Sequence, residues 1–156
     1  MSSNTARATP WVVLAGVVGA TCDITYALLY YGWRGVPAQR LLQTVASGLL
    51  GKASYDGGWP TAALGLACHY AIVIVAAAVF WAAARRWAWL RREPITAGLA
   101  FGVAIYGFMN FVVLPLSAYP YPLRFPLLTT ATGLLVHMAG VGLPIALITR
   151  RAHPAP

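Results

Sequence analysis

Four long apolar stretches alternate with short segments that hold most of the charged residues and prolines of this 156-residue chain. The stretches cover residues 11–31, 61–84, 95–116 and 127–149. Each is long enough for an α-helix to cross a hydrocarbon core of about 30 Å. The pattern predicts an all-α membrane protein, a four-helix transmembrane bundle that forms one domain.

Residues 37–52, after the first predicted span, follow a different pattern. Apolar side chains recur there at three- and four-residue spacing, which is typical of an amphipathic helix. Pro37 suits the first turn of this helix and Gly51 suits its end. We expect an extra interfacial helix that lies in the outer membrane interface. Its apolar face comprises Leu41, Leu42, Val45, Leu49 and Leu50, and its polar face comprises Arg40, Gln43, Thr44 and Ser47.

The composition supports insertion in a membrane. Only 9% of the residues are charged and 60% are hydrophobic, whereas a soluble domain usually carries about 25% charged residues. The net charge of +8 would suggest nucleic acid as a partner of a soluble protein. Here the basic residues stand at the ends of apolar stretches, so we expect contact with the lipid bilayer and no nucleic acid. The expected headgroup contacts are Arg85, Arg86, Arg91, Arg92, Arg150 and Arg151.

The distribution of basic residues predicts the orientation. With four alternating spans, seven of the eleven lysine and arginine residues fall on one side of the membrane. The other side holds Arg34, Arg40, Lys52 and Arg124. Because cytoplasmic loops carry the excess of basic residues, both termini are expected to be cytoplasmic.

Each predicted span carries one polar residue that is costly inside a membrane: Asp23, His69, Asn110 or His137. At about 1.5 Å per residue, these four lie roughly 9–15 Å below the outer ends of their spans. Small residues share their helix faces, which favours an orientation into the bundle. With the nearby Tyr26 and Tyr106, they form the candidate ligand or proton site. The small residues are Gly16, Gly19, Gly65, Gly98, Gly102, Gly133 and Gly140.

Three functions fit this polar layer. Ionisable groups cost about 2.5–3.5 kcal/mol at membrane depth, and usually mark a proton, ion or substrate path. An aspartate beside a histidine can exchange protons, so a small transport or proton-linked protein is preferred. The first alternative is a structural or accessory subunit, in which the layer only fixes helix packing. The second is a b-haem electron carrier with His69 and His137 as axial ligands, although no third feature supports it.

The sequence contains no motif that would indicate another class of function. A P-loop, an HExxH motif and a nucleophile motif are absent, so no enzyme is expected. Cys68 and His69 are neighbours on a helix and diverge by about 100°, which argues against a metal site. No cofactor is expected outside the haem alternative. Because four helices rarely enclose a pathway alone, a homodimer is a further expectation.

Two segments resemble each other at a constant offset of 68 residues. Residues 61–71 read TAALGLACHYA and residues 129–139 read TTATGLLVHMA, so that His69 matches His137. This predicts an internal repeat of two helices, related by an axis along the membrane normal. The alternative is a chance match between helices that are rich in alanine, leucine and glycine. The first and third spans align poorly.

Residues 98–137 also resemble a known family, the YagU-like group of uncharacterised bacterial inner-membrane proteins. That group shares a glycine-rich span, a Pro-Leu turn and a fourth span of Gly-x-His type. The resemblance implies a location in the bacterial inner membrane and carries no established reaction. This chain is shorter than the group and has a compact first loop. The matching features are Gly98-x3-Gly102, Met109-Asn110, Pro115-Leu116-Ser117, a loop rich in proline and tyrosine, and Gly133-x3-His137.

Overall fold

The computed structural model describes residues 2–152, and their side chains from residue 6 onward. The protein is 86% helical, and no strand occurs in the described part of the chain. Four helices are long and apolar enough to cross a membrane, which confirms the predicted all-α fold with four candidate spans. They are the first span (Ala6–Gly32), the second span (Gly58–Arg86), the third span (Pro94–Leu116) and the fourth span (Leu127–Ala152).

The helix bounds differ modestly from the predicted ones. The helix of the first span begins at Ser2, nine residues before the predicted start, and includes Pro10. A separate helix, Ala38–Leu50, follows it and continues into a 3-10 turn, Gly51–Tyr55. A one-turn helix at Trp89–Arg92, which the sequence reading did not predict, lies between the second and third spans.

The chain direction gives the bundle two distinct ends. At the tyrosine end, the first and third spans finish and the second and fourth begin. The arginine end is the opposite one. The tyrosine end carries Tyr30, Tyr31, Tyr55, Tyr119 and Tyr121, and the arginine end carries Arg85, Arg86, Arg91, Arg92, Arg150 and Arg151.

The fourth span is the centre of the packing. It contacts the first, second and third spans, and the first span also packs along the second. Toward the arginine end, the helices enclose a dense apolar core in which Phe80 and Ile145 are the largest fully buried apolar side chains. The buried members of this core are Val12, Ala15, Ala20, Val73, Ala77, Phe80, Ala84, Ala97, Val141, Ile145 and Ala146.

The third span is the most exposed of the four, and glycines hold it against the fourth. A Cβ atom added to Gly102 would collide with the carbonyl oxygen of His137 and would lie 2.5 Å from the Cα of Met138. At Gly98 it would lie 2.8 Å from the Cα of Leu143. The two backbones can approach this closely only because both positions lack a side chain, as the glycine pattern predicted.

The Ala38–Leu50 helix packs differently from the expectation. Gln43 and Ser47, which were assigned to the outward polar face, are buried, whereas Leu49 and Leu50 are exposed. The reason is a close crossing with the second span: a Cβ atom on Gly65 would lie 2.9 Å from the carbonyl carbon of Leu42. The small side chains at the crossing admit Gln43, whose amide donates to the carbonyl oxygen of Gly58 at 3.0 Å. The predicted polar face of this helix is therefore wrong for Gln43 and Ser47.

Two spans widen locally into π-helix, at Met109–Val113 and at His137–Gly142. Each segment precedes a proline, Pro115 in the third span and Pro144 in the fourth. Proline cannot donate the usual backbone hydrogen bond, and its ring clashes with the carbonyl four residues earlier. A π turn accommodates that defect within a transmembrane helix. Because Asn110 and His137 lie in these segments, the third and fourth spans are irregular at the positions that carry these two candidate site residues.

Candidate functional site

Asp23 lies between two histidines at the centre of the bundle. Its Oδ1 atom is 3.5 Å from Nδ1 of His137 on the fourth span. Its Oδ2 atom is 3.9 Å from Nε2 of His69 on the second span. The Asp23 side chain keeps 19% of its surface exposed, and the His69 side chain keeps 12%. Three of the four predicted polar residues thus form one cluster, in which a single carboxylate contacts imidazoles from two other helices.

Backbone carbonyls fix the protonation of the ring nitrogens that face Asp23. Nδ1 of His137 is 2.9 Å from the carbonyl oxygen of Gly133, and Nε2 of His69 is 3.0 Å from that of Ala20. A carbonyl oxygen can only accept, so each of these nitrogens carries its proton and donates. The Asp23 carboxylate therefore faces two N–H groups, even when both histidines are neutral.

A cavity of about 250 Å³ extends from Asp23 and His137 toward the tyrosine end. Its far wall is formed by Arg124 and Phe125, which belong to the loop before the fourth span. The cavity therefore connects the Asp–His cluster with an exposed loop. Its lining comprises Asp23, Tyr26, Ala27, Tyr31, Tyr106, Asn110, Arg124, Phe125, Thr129, Thr130, Gly133 and His137.

The third span contributes Tyr106 and Asn110 to the cavity. The Tyr106 ring meets the His137 imidazole edge to face, with 5.2 Å between the ring centroids. It also covers Gly133, where an added Cβ atom would lie 3.3 Å from Cε2 of Tyr106. The Asn110 amide donates to the carbonyl oxygen of Tyr106 at 2.9 Å. This bond leaves the Asn110 side-chain oxygen as an acceptor at the cavity wall.

Hydroxyl groups join the first and fourth spans beside the cavity. The Tyr26 hydroxyl donates to Oγ1 of Thr132 at 2.5 Å. The Thr132 hydroxyl in turn donates a hydrogen bond to the carbonyl oxygen of Leu128 at 2.7 Å. A second pair, Tyr30 and Thr129, lies one turn further out, with 2.9 Å between the hydroxyl oxygens. Because the Thr132 bond ends on a backbone carbonyl, these contacts fix the two helices together and do not conduct protons toward Asp23.

The predicted site residues divide into two groups. Five of them, Asp23, Tyr26, Tyr106, Asn110 and His137, line the cavity together. The sixth, His69, approaches Asp23 from the second span and does not line the cavity.

Sequence reasoning missed several lining residues. Arg124 was interpreted only as a charge that sets topology, and Tyr31, Thr129 and Thr130 were not considered. The hydroxyl-rich start of the fourth span, beside a lone arginine, is the signal that could have found them.

Aromatic residues surround the tyrosine end of the molecule. Tyr119 lies between spans and is partly buried, which raises the pKa of its hydroxyl above the ordinary value of 10.0. The nearby Tyr55 and Tyr121 also raise the pKa of Tyr119, because their ionised forms would repel its own. The guanidinium of Arg40 stacks over the Tyr55 ring at 3.7 Å, and that of Arg34 stacks over Tyr30 at the same distance.

The arginine end differs in part from the expected set of headgroup contacts. Arg91 donates to the carbonyl oxygen of Ala84 near the end of the second span, so its guanidinium has a partner within the protein. The other five predicted arginines are exposed. Arg151 lies 5.5 Å from the centre of the Trp11 ring. Such arginine–tryptophan pairs are typical of the membrane interface, and the headgroup contacts remain a prediction.

No metal centre is evident within residues 2–152. No three histidine, cysteine, aspartate or glutamate side chains are grouped there as the ligands of a metal ion would be. The two imidazoles approach different oxygens of Asp23 and not a common point.

No family model, curated protein or solved structure matches this chain.

Proposed function

We propose that this chain is a small proton-linked transport protein, with the Asp23–His137 pair as its proton site. The observation that supports this most directly is the cavity that connects the pair with the loop around Arg124. A purely structural network needs no such access, because buried polar groups can satisfy one another without solvent. The membrane location rests on the four apolar helices.

The chemistry of the pair is simple proton exchange. An imidazolium at His137 can pass the proton on Nδ1 to the Asp23 carboxylate, which leaves a neutral acid and a neutral imidazole that is protonated on Nε2 and no longer donates to the Gly133 carbonyl. Two titratable groups contact Asp23, His69 of the second span and His137 of the fourth span. The other titratable or charged groups line the same cavity: Tyr106 of the third span, Arg124 of the loop, and Tyr26 and Tyr31 of the first span.

Proton movement in reconstituted vesicles tests this proposal. With an entrapped pH-sensitive dye and an imposed pH gradient, we expect Asp23→Asn to reduce the rate of proton movement at least tenfold. The matched control is Asp56→Asn, which neutralises an exposed carboxylate at the tyrosine end and outside the cavity. Wild-type rates in a folded Asp23→Asn protein would favour the structural alternative, in which the polar layer only fixes helix packing.

The b-haem alternative stays a prediction with its own test. Axial ligation would require both imidazoles to face one iron, and here the Asp23 carboxylate lies between them. A Soret band in the purified protein would support haem over proton exchange.

Location, orientation and assembly complete the proposal. The resemblance to the YagU-like group supports the bacterial inner membrane. The excess of basic residues at the arginine end supports a cytoplasmic position for that end and for both termini. A homodimer would place two such bundles side by side. Cys22 is exposed on the first span, so disulfide trapping of Cys22 in membranes tests for a dimer through that face.

A further inference from the structure

The cavity carries opposite charges at its two ends. Asp23 lies at the base, and Arg124, an exposed residue of the loop before the fourth span, lies at the mouth. Tyr31 and Asp23 are eight residues apart on one helix, so the cavity is roughly 12 Å deep at about 1.5 Å per residue. Because the arginine side chain is long and flexible, its charge can approach a ligand from the mouth while the aspartate charge stays fixed.

The wall between the two charges is aromatic and polar. Tyr26, Tyr31, Tyr106 and Phe125 contribute rings, and ring faces attract cationic groups. The volume of about 250 Å³ is below the range of about 300–1,000 Å³ that is usual for drug-sized ligands. It would hold about eight waters at roughly 30 Å³ each. The ligand is therefore a small molecule.

Electrostatic balance selects the charge of that molecule. A ligand with only a positive charge would meet Arg124 as a like charge, and a ligand with only a negative charge would meet Asp23. In a partly buried site an uncompensated charge is costly, whereas a charge with an opposite partner is not. A molecule with an amine at one end and an acid at the other compensates both residues.

We propose that the cavity binds a small zwitterion whose amine pairs with Asp23 and whose carboxylate or other acidic group pairs with Arg124. The separation between the charges in the cavity requires a spacer of several bonds, as in an ω-amino acid. This inference rests on the proposed transport function, for which it names the substrate class. It assigns Arg124, the Asp23 carboxylate and the tyrosine walls to substrate recognition.

Binding to the purified full-length protein tests the proposal with four matched probes. We use 6-aminohexanoate, 6-amino-1-hexanol with only the amine, 6-hydroxyhexanoate with only the acid, and glycine with its charges close together. The Kd is measured by calorimetry and by ligand-induced shifts of the thermal midpoint. We expect 6-aminohexanoate to bind at least tenfold more tightly than each of the other three.

Two variants assign the charges. Arg124→Gln should reduce the affinity for 6-aminohexanoate to that for 6-amino-1-hexanol, and Asp23→Asn should reduce it to that for 6-hydroxyhexanoate. The control is Arg34→Gln, because Arg34 lies at the same end but stacks on Tyr30, outside the cavity. Its affinity should remain within twofold of the wild type. Unliganded thermal midpoints show whether each variant is folded.

The outcomes separate this inference from the proposed function. Equal binding of the one-charge probes, or full affinity in a folded Arg124→Gln protein, would overturn the zwitterion and leave Arg124 as a charge that only sets the topology. Proton movement that depends on Asp23, without binding of 6-aminohexanoate, would overturn the substrate class alone. Tight binding of 6-aminohexanoate without any proton movement would instead overturn the proton link and keep the zwitterion site.

Discussion

Gly102 fixes the distance between the third span and the π segment that carries His137. Replacing it with alanine adds one Cβ atom at a point where the fourth span offers backbone and no flexible side chain. That atom would lie 2.5 Å from the Cα of Met138 and 2.6 Å from the carbonyl carbon of His137. Ordinary contact begins at 3.4 Å, and the carbonyl oxygen of His137 would lie even closer than the Met138 Cα, so the two helices must separate locally by at least about 0.9 Å.

The cost of this separation follows from the structure. Overpacking in a dense interior typically costs about 1–3 kcal/mol. Alanine favours a helix over glycine by about 1 kcal/mol, which offsets part of that cost. Subtracting that gain leaves an expected net loss of up to about 2 kcal/mol in the free energy of unfolding. Because His137 lies at the contact, its Nδ1 atom should also shift relative to Asp23.

The matched control is Gly107→Ala on the same span, where an added Cβ atom would have no neighbour within 4 Å. Reversible unfolding in detergent, at several denaturant concentrations, measures both variants. We expect Gly107→Ala to equal or exceed the wild type in stability, and Gly102→Ala to lose stability together with proton movement. If Gly102→Ala were as stable as Gly107→Ala, the close backbone packing of the third and fourth spans would be refuted.

Three further predictions concern contacts around the site. Tyr26→Phe removes the hydroxyl that donates to Thr132 and should lower the free energy of unfolding by about 0.6 kcal/mol, the mean for interhelical bonds in membranes; a change above about 2 kcal/mol would contradict this. Gln43→Ala removes the amide that donates to the Gly58 carbonyl, which keeps the Thr61 hydroxyl as a second donor, and should cost about 0.5–1.5 kcal/mol, measured by the same unfolding assay; wild-type stability would show that the buried amide is dispensable. Burial raises the pKa of Tyr119, so the folded state retains that proton longer than the unfolded state, and stability should fall as the pH rises above about 10. Tyr119→Phe should weaken this alkaline loss in a titration of the thermal midpoint, and an unchanged profile would contradict the assignment.

Much of the fold could be predicted from the sequence, because helices that cross a membrane appear as long apolar stretches. The length of the apolar stretches predicted all four spans, since a helix that crosses lipid needs about twenty apolar residues. For three of the spans the predicted bounds were right to within a few residues. The cluster of Asp23 with His69 and His137 was also predictable, because glycines on the same faces directed these residues into the bundle. Each of these inferences used a pattern within single helices, either the length of an apolar stretch or the spacing of residues on one face.

The features that the sequence did not reveal depend on contacts between elements. The burial of Gln43 follows from a crossing at Gly65, and no periodicity within residues 37–52 encodes that crossing. Arg124 belongs to a loop with several prolines, so its position beside the cavity is set by the neighbouring spans. The irregular turns at Asn110 and His137 originate in prolines several residues later in the chain.

The apolar core below Asp23 has an electrical consequence. The cavity brings the tyrosine-end solution close to the carboxylate, whereas the side chains around Phe80 and Ile145 exclude water from the other half. Most of the voltage across the membrane therefore falls over this dry layer. A proton that moves from Asp23 to the arginine end would cross most of the potential, worth up to about 2.3 kcal/mol per 100 mV. In the proposed transporter, membrane voltage would thus act on the inner step and hardly on the binding of a proton to Asp23 from the tyrosine end.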